Sequence, residues 1–344
     1  MADFLEGVLP PMKFNVCTFH NAYGLGIDRL ILRGLLESWG HEVYDVEIES
    51  SNGPLKVTAD EIQDVDVNIF LELISPRLLD LNKAKQNWLI PNQEWFHVDW
   101  LSQLPRFSKI LCKTQEAVRA FSIAGYVSRC TRIGWESRDL YDPSVPRKRQ
   151  FLHVAGGSCS KNSMGSMYAL LKYFSNKMTG GPWNTNRNVN AVLVADSDEL
   201  RQFSESQNQG NCTCIRRASD EELKRLMNES IFHLMPSYAE GWGHVIHEGL
   251  GCGAVMITTD FPPMNEFAGI DKNLYARPSK EPFSMCAVGR GVWVGAYEVK
   301  LAIDAALSLI PERIREIQHN ARAAFLAQRE SFREALKGVI INDY

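Results

Sequence analysis

Met235-Pro236-Ser237-Tyr238-Ala239-Glu240-Gly241-Trp242-Gly243-His244-Val245-Ile246-His247-Glu248-Gly249-Leu250-Gly251-Cys252-Gly253-Ala254-Val255-Met256-Ile257-Thr258-Thr259-Asp260 is the stretch that decides the fold. An apolar run, Ile231 to Met235, precedes it and reads as a strand. A turn rich in glycine follows, then a helical spacing that Gly253 breaks, then a second apolar strand from Ala254 to Thr259. A strand, a turn, a helix and a strand in that order make one βαβ unit, and such units build parallel sheets. The helix start presents free backbone N–H groups and a positive dipole end, which suits an anion. Gly241 and Gly243 let a ligand approach the backbone closely. A carboxylate ahead of the helix, such as Glu240, can accept sugar hydroxyls, and one further along, such as Glu248, can accept ribose hydroxyls as the acidic residue of a dinucleotide fold does.

The same alternation runs outward in both directions. Upstream, Phe151–Ala155 is a strand, Gly156-Gly157-Ser158 a turn, and Met164 to Phe174 a helix. Strands at 189–195 and 211–215 and a helix at Asp220–Asn228 complete this half. The first half starts with a strand at Lys13–Phe19, a turn at 21–26 and helical spacing from Ile27 to Trp39. Further strands follow at His41–Ile48, 67–71, 87–90 and 109–112, with a helix near Gln115–Ala124. Two prolines and a charge cluster in Tyr141–Arg149 read as a linker. The α/β class with two Rossmann-like domains follows, over residues 1–143 and 150–325, with a strongly helical tail after them.

Bulk composition narrows the function classes. The 344 residues are 45% hydrophobic and 23% charged, as in ordinary globular proteins, and the net charge of −4 does not mark a general nucleic-acid binder. Residues 101–150 depart from that balance, with ten Lys/Arg against four acids. The eight cysteines contain no C-x-x-C pair and read as reduced, mostly buried thiols of a cytoplasmic protein, with no metal site expected. Neither a signal peptide nor a membrane-spanning apolar run is expected.

The frame P-S-x-x-E-G-x-G-x-x-x-x-E-x-x-x-x-G, with Pro236, Ser237, Glu240, Glu248 and Gly253 in place, resembles the family-4 retaining glycosyltransferases (glycosyltransferase group 1) and their GT-B relatives. Asp260 to Glu266 matches the loop that follows in that family. The resemblance implies a GT-B fold, two Rossmann-like domains facing a cleft, with residues 326–344 crossing back to the first domain. It implies sugar transfer from a nucleoside diphosphate, here taken as UDP, to an acceptor hydroxyl with retention and without metal. No cofactor is then needed beyond the nucleotide-sugar co-substrate. Lys161 and Glu240 take the catalytic places, Lys161 on the diphosphate. Gly24, Gly26, Gly157, Ser158, Arg216, Gly241, Trp242, Gly243, His244 and Glu248 complete the donor set. Gly156 stands where the family usually has an arginine, which Ser158, Ser160, Arg216 or Arg217 could replace.

Glu94 and His97, after a strand of the first domain, are the acceptor-side candidates. A glycan, a small molecule or a hydroxymethylated DNA base all stay open as acceptor; for DNA the ingredients are Trp95, Phe96, Trp100, Arg129, Arg132 and Arg138. Three other readings compete. One is a metal-dependent transferase using Asp196-Ser197-Asp198, one a GT-B sugar-nucleotide epimerase, and one a non-catalytic sugar-nucleotide-binding module.

Overall fold

The computed structural model describes residues 11–19, 24–48, 62–81, 83–156, 159–176, 189–198, 200–202 and 211–342. They form two compact units. The first comprises residues 1–137, 284–289 and 330–344, and the second 138–283 and 290–329. The division falls at Ser137 rather than among the prolines of 141–149, and Lys148 and Arg149 already belong to a strand.

The first unit is built on a parallel sheet of β1 (Lys13–Thr18), β2 (Glu42–Glu47), β3 (Val65–Leu71), β4 (Ala84–Ile90), β5 (Lys109–Cys112) and β6 (Cys130–Arg132), in the order β2-β1-β3-β4-β5-β6. Residues 67–71 of β3 and 87–90 of β4 are buried without a break, as strands covered on both faces are. Helix α1 (Gly24–Ser38) follows β1 and buries Leu25, Leu32, Leu35 and Leu36, one face at helical spacing. Gly24 and Gly26 therefore lie in the first turn of a helix, not in a loop: the apolar periodicity that continues back to Leu25 outweighs the glycines. Short helices α2 (Pro76–Leu81) and α3 (Gln115–Phe121) cover later crossovers. Helix α3 stops short of Ala124 because a wider turn and Gly125, at φ 93°, end it.

A ladder of amides crosses this sheet. Asn15, Asn68 and Asn87 lie side by side on β1, β3 and β4. Asn15 donates to Asn68 at 2.9 Å, and Asn68 donates to Asn87 at 3.0 Å. All three are buried, so each amide that finds a partner avoids a desolvation cost of about 1–3 kcal/mol.

The second unit repeats the architecture with β7 (Lys148–Gly156), β8 (Asn190–Ala195), β9 (Cys212–Ile215), β10 (Ser230–Met235), β11 (Val255–Thr259) and β12 (Tyr275–Ala276). Their order is β12-β11-β10-β7-β8-β9, all parallel. Helices α4 (Ser163–Asn176), α5 (Asp220–Glu229), α6 (His244–Gly251) and α7 (Ala296–Leu307) pack on it. Phe151 and Phe232 stack at 4.9 Å between neighbouring strands. The final helix α8 (Pro311–Ile341) is one continuous element. Within the first unit, its end section places Phe332 4.7 Å from Trp135 and Arg333 on Glu136 at 2.7 and 3.1 Å. No described helix is long and apolar enough to cross a membrane.

Candidate functional site

In the second unit the chain winds one way from β7 through β8 to β9, and the other way from β10 through β11 to β12. The reversal lies between β7 and β10, which are direct neighbours. At such a switch point the two following loops diverge and leave a crevice at the strands' C-terminal ends. Lys161 follows β7 and Glu240 follows β10.

These two side chains meet. Lys161 Nζ lies 2.5 Å from Glu240 Oε1 and 2.6 Å from Oε2, and Ser237 donates to Oε1 at 2.6 Å. Glu240 is buried and Lys161 keeps 18% of its side chain exposed, so the pair borders solvent without being immersed in it.

The two loops are stitched together. Tyr238 donates its N–H to Ser160 O at 2.8 Å, and its hydroxyl to Asn162 Oδ1 at 2.7 Å. Asn162 sits at φ 55°, in the left-handed region that asparagine tolerates better than most residues, and donates to Val294 O at 3.0 Å. A Cβ at Gly165 would collide with the Asn162 amide, so a larger residue there would push that side chain off its partners. Below the loops, Thr258 Oγ1 donates to Met235 O at 2.8 Å and Thr259 Oγ1 to Ser237 O at 2.6 Å. His153 ties the two central strands: Nδ1–H donates to Leu234 O at 2.7 Å, and Nε2 accepts from Ser163 at 2.9 Å. Burial lowers its pKa to about 4, which keeps the ring neutral.

Gly243 caps α6 at φ 77°, a left-handed conformation costly for other residues. His244 opens the helix half-buried. Glu248 is buried one turn further along and accepts from Arg138 Nε at 2.6 Å. Arg138 also reaches Asp220, the first residue of α5, at 3.3 Å. The acid expected at a ribose is thus held by Arg138, one of the arginines expected for DNA.

Other expected site residues are employed elsewhere. Trp242 is buried and stacks on His247 at 3.8 Å, against Phe267 at 5.7 Å, so it is packing rather than a ligand contact. Gly157 and Ser158 lie outside the described residues. Arg216 and Arg217 bind Asp196, each at 2.8 Å. They follow β9, two strands from β7 or about 10 Å away, which separates them from Lys161. Asp196 is held below the usual carboxylate range by Arg216 first and Arg217 next, and Asp198 lies near Arg201 and Arg216. That engagement by arginines disfavours the Asp196/Asp198 metal reading; no cluster of three or more His, Cys, Asp or Glu occurs among the described residues.

In the first unit, Glu94 is buried in a short turn whose Cα lies close against Gly289. His97 is exposed and caps the next turn through Asp99 N at 3.3 Å. Phe96 and Trp100 are buried and pack edge to face at 5.5 Å, which leaves only Trp95 of the three rings at the surface. Arg129 spends its guanidinium on the carbonyls of Leu104, Pro105 and Phe107. With Arg138 on Glu248, two of the three arginines expected for DNA phosphates are structural.

Residues 177–284, which contain Glu240 and Glu248, match the model of the family "Glycosyl transferases group 1". No curated protein sequence matches the chain significantly. Several solved structures share its fold. A chain of the GtfA/B complex is 14% identical with a TM-score of 0.60; the match covers 80% of this chain but only 57% of that one. The E. coli trehalose-6-phosphate structure bound with UDP-2-fluoro glucose is 12% identical over 95% of this chain and 98% of that one, TM-score 0.65. Anabaena HepE in complex with UDP and glucose is 16% identical over 95% and 100%, TM-score 0.63. In fold the chain is a GT-B protein, and its segment 177–284 is similar to the group 1 glycosyl transferases.

Proposed function

We propose that this chain is a retaining glycosyltransferase that moves a sugar from a UDP-sugar to an acceptor hydroxyl without a metal ion. The observation that carries the reading is the Lys161–Glu240 pair at the β7/β10 switch point. A cation and a carboxylate side by side match the two halves of a nucleotide sugar, the diphosphate and the hydroxyl-bearing ring. Bound UDP in HepE and a UDP-sugar analogue in the E. coli structure support the choice of nucleotide.

In this reading donor binding separates the pair. Lys161 turns to the diphosphate and, with the amides opening α6, offsets the charge that develops on the leaving group. Glu240 accepts hydroxyls of the sugar, and Glu248 those of the ribose. The bond from the anomeric carbon to the diphosphate breaks and the bond to the acceptor oxygen forms on the same face. The acceptor proton passes to the leaving phosphate oxygen. The second unit is then the donor domain and the first the acceptor domain, in a cytoplasmic protein.

The test is direct. Purified protein with a panel of UDP-sugars and candidate acceptors is assayed for UDP release and for a product of added hexose mass. The anomeric coupling of the product reports retention. Full activity in excess chelator is expected; activity lost to chelator and restored by Mg²⁺ or Mn²⁺ overturns metal independence. UDP binding without release from any donor would favour a non-catalytic sugar-nucleotide module.

A further inference from the structure

The first sheet has its own switch point, between β1 and β3, and the connections after β1, β3, β4 and β5 all leave it at the C-terminal edge. Four polar residues that the donor chemistry does not use meet there. Lys113, after β5, is buried and lies 2.5 Å from Asp28 on α1. It also donates to Asn92 Oδ1 at 3.1 Å and sits 4.9 Å from the centre of the Trp135 ring. Asn92, after β4, donates its amide to Glu72 Oε2 at 2.7 Å. Because the ammonium claims the amide oxygen, the amide nitrogen must face Glu72.

Glu72 is the first residue after β3, at φ 63°. Non-glycine residues in this region are strained, and glycine would fit without steric penalty. The strain is held in place by a hydrogen bond from Glu72 N to Ile90 O at 2.9 Å. Retaining a strained glutamate where glycine would fold more easily points to use of the carboxylate. One oxygen is taken by Asn92, and Oε1 accepts from no described residue. Burial raises the carboxyl's pKa; Lys113 opposes that, Asp28 reinforces it and the Asn92 hydrogen bond opposes it.

The charges decide what such a group receives. Asp28 and Lys113 cancel, and Lys113 is enclosed by Asp28, Asn92 and Trp135. The cluster thus offers hydrogen-bond acceptors and no spare cation. We propose that Glu72, oriented by Asn92, binds the hydroxyls of the acceptor, and that the acceptor is an uncharged polyol such as a sugar. The assignment rests on the transferase reading above for the word acceptor, and on the first unit alone for the site.

Saturation-transfer NMR on the full chain, with D-glucose, myo-inositol and glucose 6-phosphate as probes, reads binding without turnover. UDP affinity by calorimetry serves as the donor-side control. The neutral probes are expected to bind in preference to the phosphorylated one. Glu72→Gln should weaken them at least tenfold and leave UDP affinity unchanged. Glu72→Gly should lose the same binding while raising Tm, an outcome that a purely structural glutamate would not give. Failure of all neutral probes, a preference for the phosphorylated sugar, or unaltered polyol binding in Glu72→Gln overturns the proposal. Polyol binding that depends on Glu72, in a protein that never consumes UDP-sugar, would leave the site standing and remove the transferase reading instead.

Discussion

Glu240→Gln keeps the shape of the side chain and removes its charge. Lys161 contacts both carboxylate oxygens, at 2.5 and 2.6 Å, so the substitution strips the ammonium of its anionic partner. Breaking a buried pair from one side costs about 3–5 kcal/mol. Lys161 retains 18% exposure and the glutamine oxygen still accepts one bond, which leaves about 2 kcal/mol as the cost to the unliganded protein. A diphosphate restores an anion to Lys161. The lost energy is therefore recovered on binding, and UDP should bind about 30-fold more tightly to the variant, at 1.4 kcal/mol per tenfold. Turnover should fall at least tenfold, because the sugar loses its carboxylate. Thermal unfolding should show a lower Tm without UDP and a larger UDP-induced rise than in the parent. Calorimetry with UDP decides the matter: unchanged or weaker affinity in Glu240→Gln refutes the idea that donor phosphate and Glu240 compete for Lys161.

Three further outcomes are expected. Lys161→Ala should weaken UDP by about 10- to 150-fold, the loss of one hydrogen bond to a charged group, measured in the same calorimeter. Glu248→Gln should weaken UDP and uridine by the same factor, since its contact is to ribose; a loss confined to UDP would reassign it to the phosphates. The second unit should lose stability in acid. Burial lowers the pKa of His153 to about 4 and of His233 and His247 to about 3, so the unfolded chain takes up protons near pH 6.5 that the folded unit refuses. Stability is complete above about pH 6.5 and falls as the pH drops, by about 2 kcal/mol per histidine at pH 5. Denaturant unfolding of the second unit that is flat from pH 7.5 to 5 would contradict this.

Much of the candidate site was legible because its residues are local. Glu240, Gly243 and Glu248 belong to one strand–turn–helix, whose spacing survives in the linear sequence. Lys161 was implied by the family resemblance, and its pairing with Glu240 depends on β7 and β10 being neighbours. The Asp28–Lys113–Asn92–Glu72 cluster was not legible. Its members stand in four separate connections, and only the strand order β1-β3-β4-β5 brings them to one edge. Local aromatic pattern misled for the opposite reason. Trp95, Phe96 and Trp100 look like a surface in sequence, yet the turns around them direct Phe96 and Trp100 into the core.

The amide ladder Asn15–Asn68–Asn87 acts on assembly as well as on the finished sheet. Most apolar strands can slide past one another and still bury oil against oil, so a misaligned pairing costs little and persists. A strand carrying one amide in a fixed place cannot. A slip of one residue, about 3.3 Å, turns its asparagine to the opposite face and strands the neighbour's amide without a partner. Each strand thus inspects the one beside it, Asn15 the register of β3 and Asn68 that of β4. The connections bearing Glu72 and Asn92 hang from the ends of β3 and β4, so the error check that aligns the strands also sets those two side chains within 2.7 Å of each other.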